Sequence, residues 1–158
     1  MIKLKSFRQT PGLCGPASLK IVMDYYGVSV SEAEIAKAAK ATKERGVSAK
    51  GLIRAAKHFG FKAIFKKNSS LRDLEYFVEK RMPVIVDWFS EDDGHYSVVT
   101  DINNRNVVLL DPALGGKKVF SRETFFRIWF DFPGKFIKTP KDLVLRVALV
   151  LEKSRESV

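Results

Sequence analysis

The chain has 158 residues, enough for a single domain (1–158) with a sizeable core, and its 46% hydrophobic and 29% charged content is that of an ordinary globular protein. One cysteine excludes an intrachain disulfide framework; with only two histidines, a cysteine- or histidine-based metal centre is not expected, and neither is a cofactor. Residues 1–8 are charged and lack the apolar centre of a secretory signal, and no apolar run reaches the ~18 residues of a membrane span, so a cytoplasmic protein is expected.

The net charge of +10 is unevenly spread. Ile35 to Lys67 carries ten Lys/Arg and one acid, whereas Asp87 to Asp101 carries five acids and no Lys/Arg. The basic stretch suits nucleic acid or an anionic membrane face. Its cations follow helix spacing without interleaved aromatics, which favours a solvated helical face, and nucleic acid is not the expected partner.

In chain order, residues 1–8 form an arm or short edge strand. A helix is predicted from Pro16 to Tyr26, with Leu19, Val22, Met23 and Tyr26 on its core face and Gly27 past its end. Ser31 to Glu34 is a capping box opening a second helix, which ends near Ala41. Ser48 caps a third, stopped by Gly60, with Leu52, Ile53, Ala56 and Phe59 inward and His58 at the surface. Phe61 to Phe65 alternates as a strand, and a fourth helix runs from Ser69 or Ser70 to before Pro83. Pro83–Phe89 reads as a central strand and Ser90–Gly94 as a turn. His95–Ile102 and Val107–Leu110 form a hairpin about Asn103–Asn106. Lys117–Phe120 pairs again, Ser121 caps a helix through Phe130, and Pro133–Lys141 is a loop. Leu143–Leu151 is the final strand, and the polar tail 152–158 is expected to fray. Helices first and an antiparallel sheet second make an α+β domain.

Cys14 follows a Gly/Pro-rich loop and precedes a helix. Unpaired N–H groups and the helix dipole favour negative charge there, and such placement promotes the reactive thiolate. Nucleophilic chemistry also needs a base, an orienter for it and oxyanion donors. His95 opens a strand after Gly94. Asp111 lies 16 residues on, and in a hairpin centred on 103–106 the two fall nearly opposite each other. A carboxylate there orients one ring nitrogen and leaves the other for Cys14. Gln9 can aim its amide at an oxyanion beside the Cys14 backbone N–H. The acids Asp87, Glu91, Asp92, Asp93 and Asp101 are expected around His95, where they would attract a basic peptide segment.

Gln9-x4-Cys14-Gly15-Pro16-Ala17-Ser18-Leu19, Asp24-Tyr25-Tyr26-Gly27, Gly94-His95-Tyr96-Ser97-Val98-Val99 and Leu110-Asp111-Pro112 resemble the double-glycine peptidases, papain-like cysteine peptidases that process bacteriocin leaders. Gly46-Val47-Ser48 and Phe59-Gly60-Phe61 match as well, so the resemblance runs from about residue 6 to 130. It implies a papain-like fold with an N-terminal helical part on a C-terminal antiparallel sheet. It also implies Cys14 as nucleophile, His95 as base, Asp111 as its orienter and Gln9 as the oxyanion residue. The implied substrate is a peptide or protein cut after Gly-Gly, and the implied partner a membrane transporter acting in trans, because this chain has no transporter segments. Leu13 stands where an acidic residue commonly precedes the cysteine. Three alternatives use the same residues or fold differently: a non-catalytic peptide-binding or regulatory module, a papain-like acyltransferase or amidase, and a nucleic-acid binder using Ile35–Lys67.

Overall fold

The computed structural model describes residues 1–91 and 93–154. Its centre is a six-stranded antiparallel sheet in the order β1-β8-β2-β3-β4-β5. These strands are β1 (Phe61–Lys66), β2 (Val84–Ser90), β3 (Asp93–Ile102), β4 (Asn106–Asp111), β5 (Gly116–Ser121) and β8 (Val147–Lys153). Helices α1 (Cys14–Tyr25), α2 (Glu32–Ala39) and α3 (Ala49–His58) belong to one core, and α4 (Leu71–Glu79) and α5 (Arg122–Ile128) to another. A short ribbon of β6 (Phe130–Asp131) and β7 (Val144–Leu145) flanks the sheet.

The apolar run of β2 explains this layering. Side chains alternate across a strand, so Ile85 joins Leu19, Leu52 and Tyr96 in the first core while Val84, Val86 and Trp88 join Leu74, Phe125 and Trp129 in the second. A strand covered on both faces is apolar throughout. The sheet is thus covered by helices on both faces.

The expected capping box at Ser31 and Glu34 is present, and Ser48, Ser70 and Ser121 each cap their helices. Boundaries differ in several places. The expected Ser90–Gly94 turn is shorter, because β2 runs to Ser90 and β3 opens at Asp93, two residues before His95. Helix α1 begins at Cys14 itself, with Leu13 at its N-cap. α5 stops at Ile128, because Phe130 and Asp131 pair with Leu145 and Val144. The last strand is broken at Arg146, whose φ is 49° and whose guanidinium donates to the Ser69 carbonyl at 2.7 Å. Finally, Glu152 and Lys153 are not frayed: they pair with Lys62 and Phe61, since β8 enters between β1 and β2. Residues 155–158 lie outside the described residues. The arm formed by residues 1–8 is tied to the sheet where the Ile2 N–H donates to the Thr100 carbonyl at 2.9 Å.

Ile85 is fully buried on the face that carries α1. Ile85→Ala should destabilise the protein by about 2–5 kcal/mol, measured by equilibrium denaturant unfolding; a change under about 1 kcal/mol would contradict this packing.

Candidate active site

The loop ahead of α1 is pinned at its start. The Gln9 N–H donates to the Pro112 carbonyl at 2.9 Å, and Thr10 donates to the Glu32 carboxylate through its N–H (2.9 Å) and its hydroxyl (2.6 Å). Gly15 then lets the helix start approach its neighbours: a Cβ there would collide with Val47 and crowd Tyr96. The Tyr96 hydroxyl reaches the Val47 carbonyl at 3.4 Å, closing the same contact. Cys14 is thereby delivered to the beginning of β3 as the first residue of α1, where its N–H has no acceptor within the helix.

His95 Nε2 and Asp111 Oδ1 are 2.6 Å apart. Asp111 is 2% exposed, and the same oxygen accepts the Ala113 N–H at 3.0 Å, so the Asp-Pro turn itself fixes the carboxylate. Cys14 lies beside the same ring, close enough for its charge to act on it. The register differs from the expectation. Val98 pairs with Leu110, and an irregularity follows between Val99 and Asp101. Extending that pairing sets Asp111 against Ser97, so His95 meets Asp111 diagonally along the same face. Trp88 is the residue directly across from His95, with ring centroids 5.4 Å apart and edge to face; its Nε1 donates to Ser97 Oγ at 3.0 Å. It shields the His95–Asp111 bond from one side.

Burial is the largest single influence on His95 and opposes its charge. The hydrogen bond to Asp111, the adjacent Cys14 and the charges of both outweigh it and raise the ring from its ordinary 6.5 to about 9. Burial likewise opposes the Asp111 anion. The His95 hydrogen bond and charge, the Ala113 N–H and Lys118 together hold it below the usual carboxylate range. The stabilisation carried by the raised histidine is complete below about pH 6.5 and lost as pH rises through about 9; that carried by Asp111 is lost on acidification below the ordinary carboxylate range.

Gln9 lies next to this site through Pro112, and its Oε1 is buried without a partner among the described residues. A polar group left unsatisfied by the fold is costly and calls for an explanation. The acidic surroundings differ from the expected set. Asp101 lies toward the far end of β3, 3.9 Å from the Met1 amino group. Glu91 and Asp93 are exposed near the turn, and Asp92 lies outside the described residues. Asp87 is only 8% exposed; burial first, then Asp131 beside it, raises its carboxyl far above the usual range. Asp131 in turn fills the space over Gly94 that any Cβ would need. Sequence reasoning missed Trp88 and Asp131. The same hairpin arithmetic that paired His95 with Asp111 would have found Trp88, whereas no local signal announces Asp131.

A protein-family model, the Peptidase C39 family, matches residues 7–132. This chain belongs to the Peptidase C39 family. An uncharacterized protein of Methanothermobacter thermautotrophicus is 42% identical over 116 residues, 73% of this chain and 75% of that one. The pediocin PA-1 transport/processing ATP-binding protein PedD of Pediococcus acidilactici is 29% identical over 73% of this chain, which spans only 16% of PedD. Among solved structures, the peptidase domain of Streptococcus ComA, a bifunctional ABC transporter of a quorum-sensing pathway, superposes with a TM-score of 0.74 at 24% identity, covering 98% of this chain and all of that domain. A double glycine motif protease from an AMS/PCAT transporter, in complex with its leader peptide, gives 0.70 at 21% identity over 97% and 94% of the two chains. These structures establish that the sandwiched sheet is the C39 papain-like fold.

The His95 ring should lose its proton near pH 9 in an NMR titration, and Asp111→Asn should lower that midpoint because the anionic acceptor is gone. A midpoint unmoved by the substitution would contradict the electrostatic account.

Proposed function

We propose that this C39 protein is a cysteine peptidase working through an acyl-enzyme. The reading rests on one observation: His95, bonded to Asp111 at 2.6 Å, lies beside Cys14 at the start of α1. The Cys14 sulfur attacks the peptide carbonyl carbon, and the carbonyl electrons move onto oxygen. Cys14 N–H and the Gln9 amide receive that oxyanion. The charged His95 ring hands its proton to the departing amine as the C–N bond breaks. The neutral ring then takes a proton from water, whose oxygen attacks the thioester and releases the acid, restoring the sulfur. Asp111 keeps the ring oriented and stabilises its charged form.

The proposed substrates are leader-type peptides cut after Gly-Gly. Family membership supports this, as do relatives described as processing transporters and a neighbour solved with its leader peptide. A transporter acting in trans is the matching partner. Among the described residues no helix is long and apolar enough to cross a membrane.

A synthetic peptide carrying one Gly-Gly pair tests the proposal by mass spectrometry. Wild type should cut once, after the pair, releasing a free carboxylate. Cys14→Ala should abolish cleavage, and Gln9→Ala should lower kcat/KM by ~10²–10³-fold through loss of one oxyanion donor. Undiminished cleavage by Cys14→Ala would sink the mechanism. Binding without cleavage by wild type would make this a recognition module instead.

A further inference from the structure

Residues 133–141, between β6 and the 3₁₀ turn Pro140–Asp142, are all exposed. Within them Phe136 and Ile137 are adjacent and 75% and 48% exposed. Isolated apolar side chains at a surface are ordinary, but these two are framed by Lys135, Lys138 and Lys141. Of the two acids at the loop's ends, Asp131 packs over Gly94 and Asp142 braces the loop from within: its Oδ2 accepts the backbone N–H of Lys138 at 2.8 Å and of Thr139 at 3.1 Å. At the other end Phe132 stacks on Phe89, centroids 5.2 Å apart. Both feet are anchored, and an apolar, cationic tip is held away from the core.

We propose that this loop is a membrane-docking element, seating Phe136 and Ile137 in the interfacial layer of a bilayer while Lys135, Lys138 and Lys141 engage anionic phospholipid headgroups. Apolar residues flanked by cations match that boundary, where lysine stems lie along apolar surface and their ammonium groups reach the headgroups. Two side chains are too small a patch for a protein interface, which takes about 800 Å² from each partner. A second copy meeting the tip symmetrically would set like charges against each other. The loop's near foot also carries Asp131, which packs over Gly94 beside His95. From Phe132 to Phe136 the chain reaches at most ~14 Å. Docking would therefore hold the Cys14 site close to the bilayer and present it to peptides lying at that surface. The docking itself is independent of the peptidase reading.

Co-sedimentation of the full chain with vesicles, either pure phosphatidylcholine or phosphatidylcholine with phosphatidylglycerol, tests the proposal. Wild type should bind the anionic vesicles, in a salt-sensitive way, and the neutral ones far less. Phe136→Ser with Ile137→Ser leaves the net charge at +10 yet should weaken binding by about tenfold. Gln at Lys135, Lys138 and Lys141 should weaken it similarly. Gln at Lys50, Arg54 and Lys57, on the exposed face of α3, removes as much charge and should leave binding intact. Tip variants should keep the wild-type thermal transition and the wild-type cleavage of a soluble peptide, so failure of docking is distinguishable from failure of the peptidase mechanism. The proposal is overturned if wild type does not bind, if the apolar-tip variant binds equally well, or if binding follows total charge wherever it is removed. It is also overturned if the apolar-tip variant loses only self-association, read by analytical ultracentrifugation.

Discussion

The close approach of the α1 N-terminus to β3 is the constraint on which the site depends. Gly15 has no room for a side chain between Val47 and Tyr96, and Tyr96 and Val47 are themselves joined by a hydrogen bond. Were that contact looser, Cys14 would still begin a helix but would not meet a histidine from a strand some 80 residues away. The contact is maintained by bulk packing: Leu19, Ile21, Val22 and Met23 of α1 are fully buried in the core that includes Ile85 and Val98 of the sheet. Positioning of the sulfur is thus a property of the core and of one glycine, rather than of any polar bond to Cys14.

Around that contact the protein pushes two buried acids in opposite directions. Asp111 stays ionised because His95 and a backbone N–H stabilise its charge. Asp87, buried with Asp131 as its neighbour, is pushed toward its protonated form. The difference follows from partners, not from residue type, since burial acts on Asp87 and Asp111 in the same direction. Trp88 belongs to the same arrangement. It lies across from His95, and Lys118 sits 5.4 Å above its ring, so an aromatic plate and a cation flank the His95–Asp111 bond.

Much of this was legible in the sequence. Helix starts were written in single side chains, because Ser31, Ser48, Ser70 and Ser121 each accept a local N–H. The His95–Asp111 pairing followed from a hairpin whose turn residues are adjacent in the chain. Its detailed register did not, because the irregularity between Val99 and Asp101 inserts an offset that no residue there announces. The break at Arg146 was hidden for a related reason. An arginine in the left-handed region is held there by the long-range bond to Ser69, not by its own preference.

The sequence by itself determined the candidate residues and the elements: a lone cysteine at a helix start, a histidine and an aspartate on one hairpin, and the family their motifs carry. Those signals are local, so a linear reading reaches them. Only the tertiary structure decided that the sheet is covered on both faces, that the C-terminal strand lies inside it, and that Asp131 closes over Gly94 beside an acidic Asp87. It also decided that Phe136 and Ile137 remain outside. Each of those outcomes depends on segments distant in the chain competing for the same space, which residue order alone does not encode.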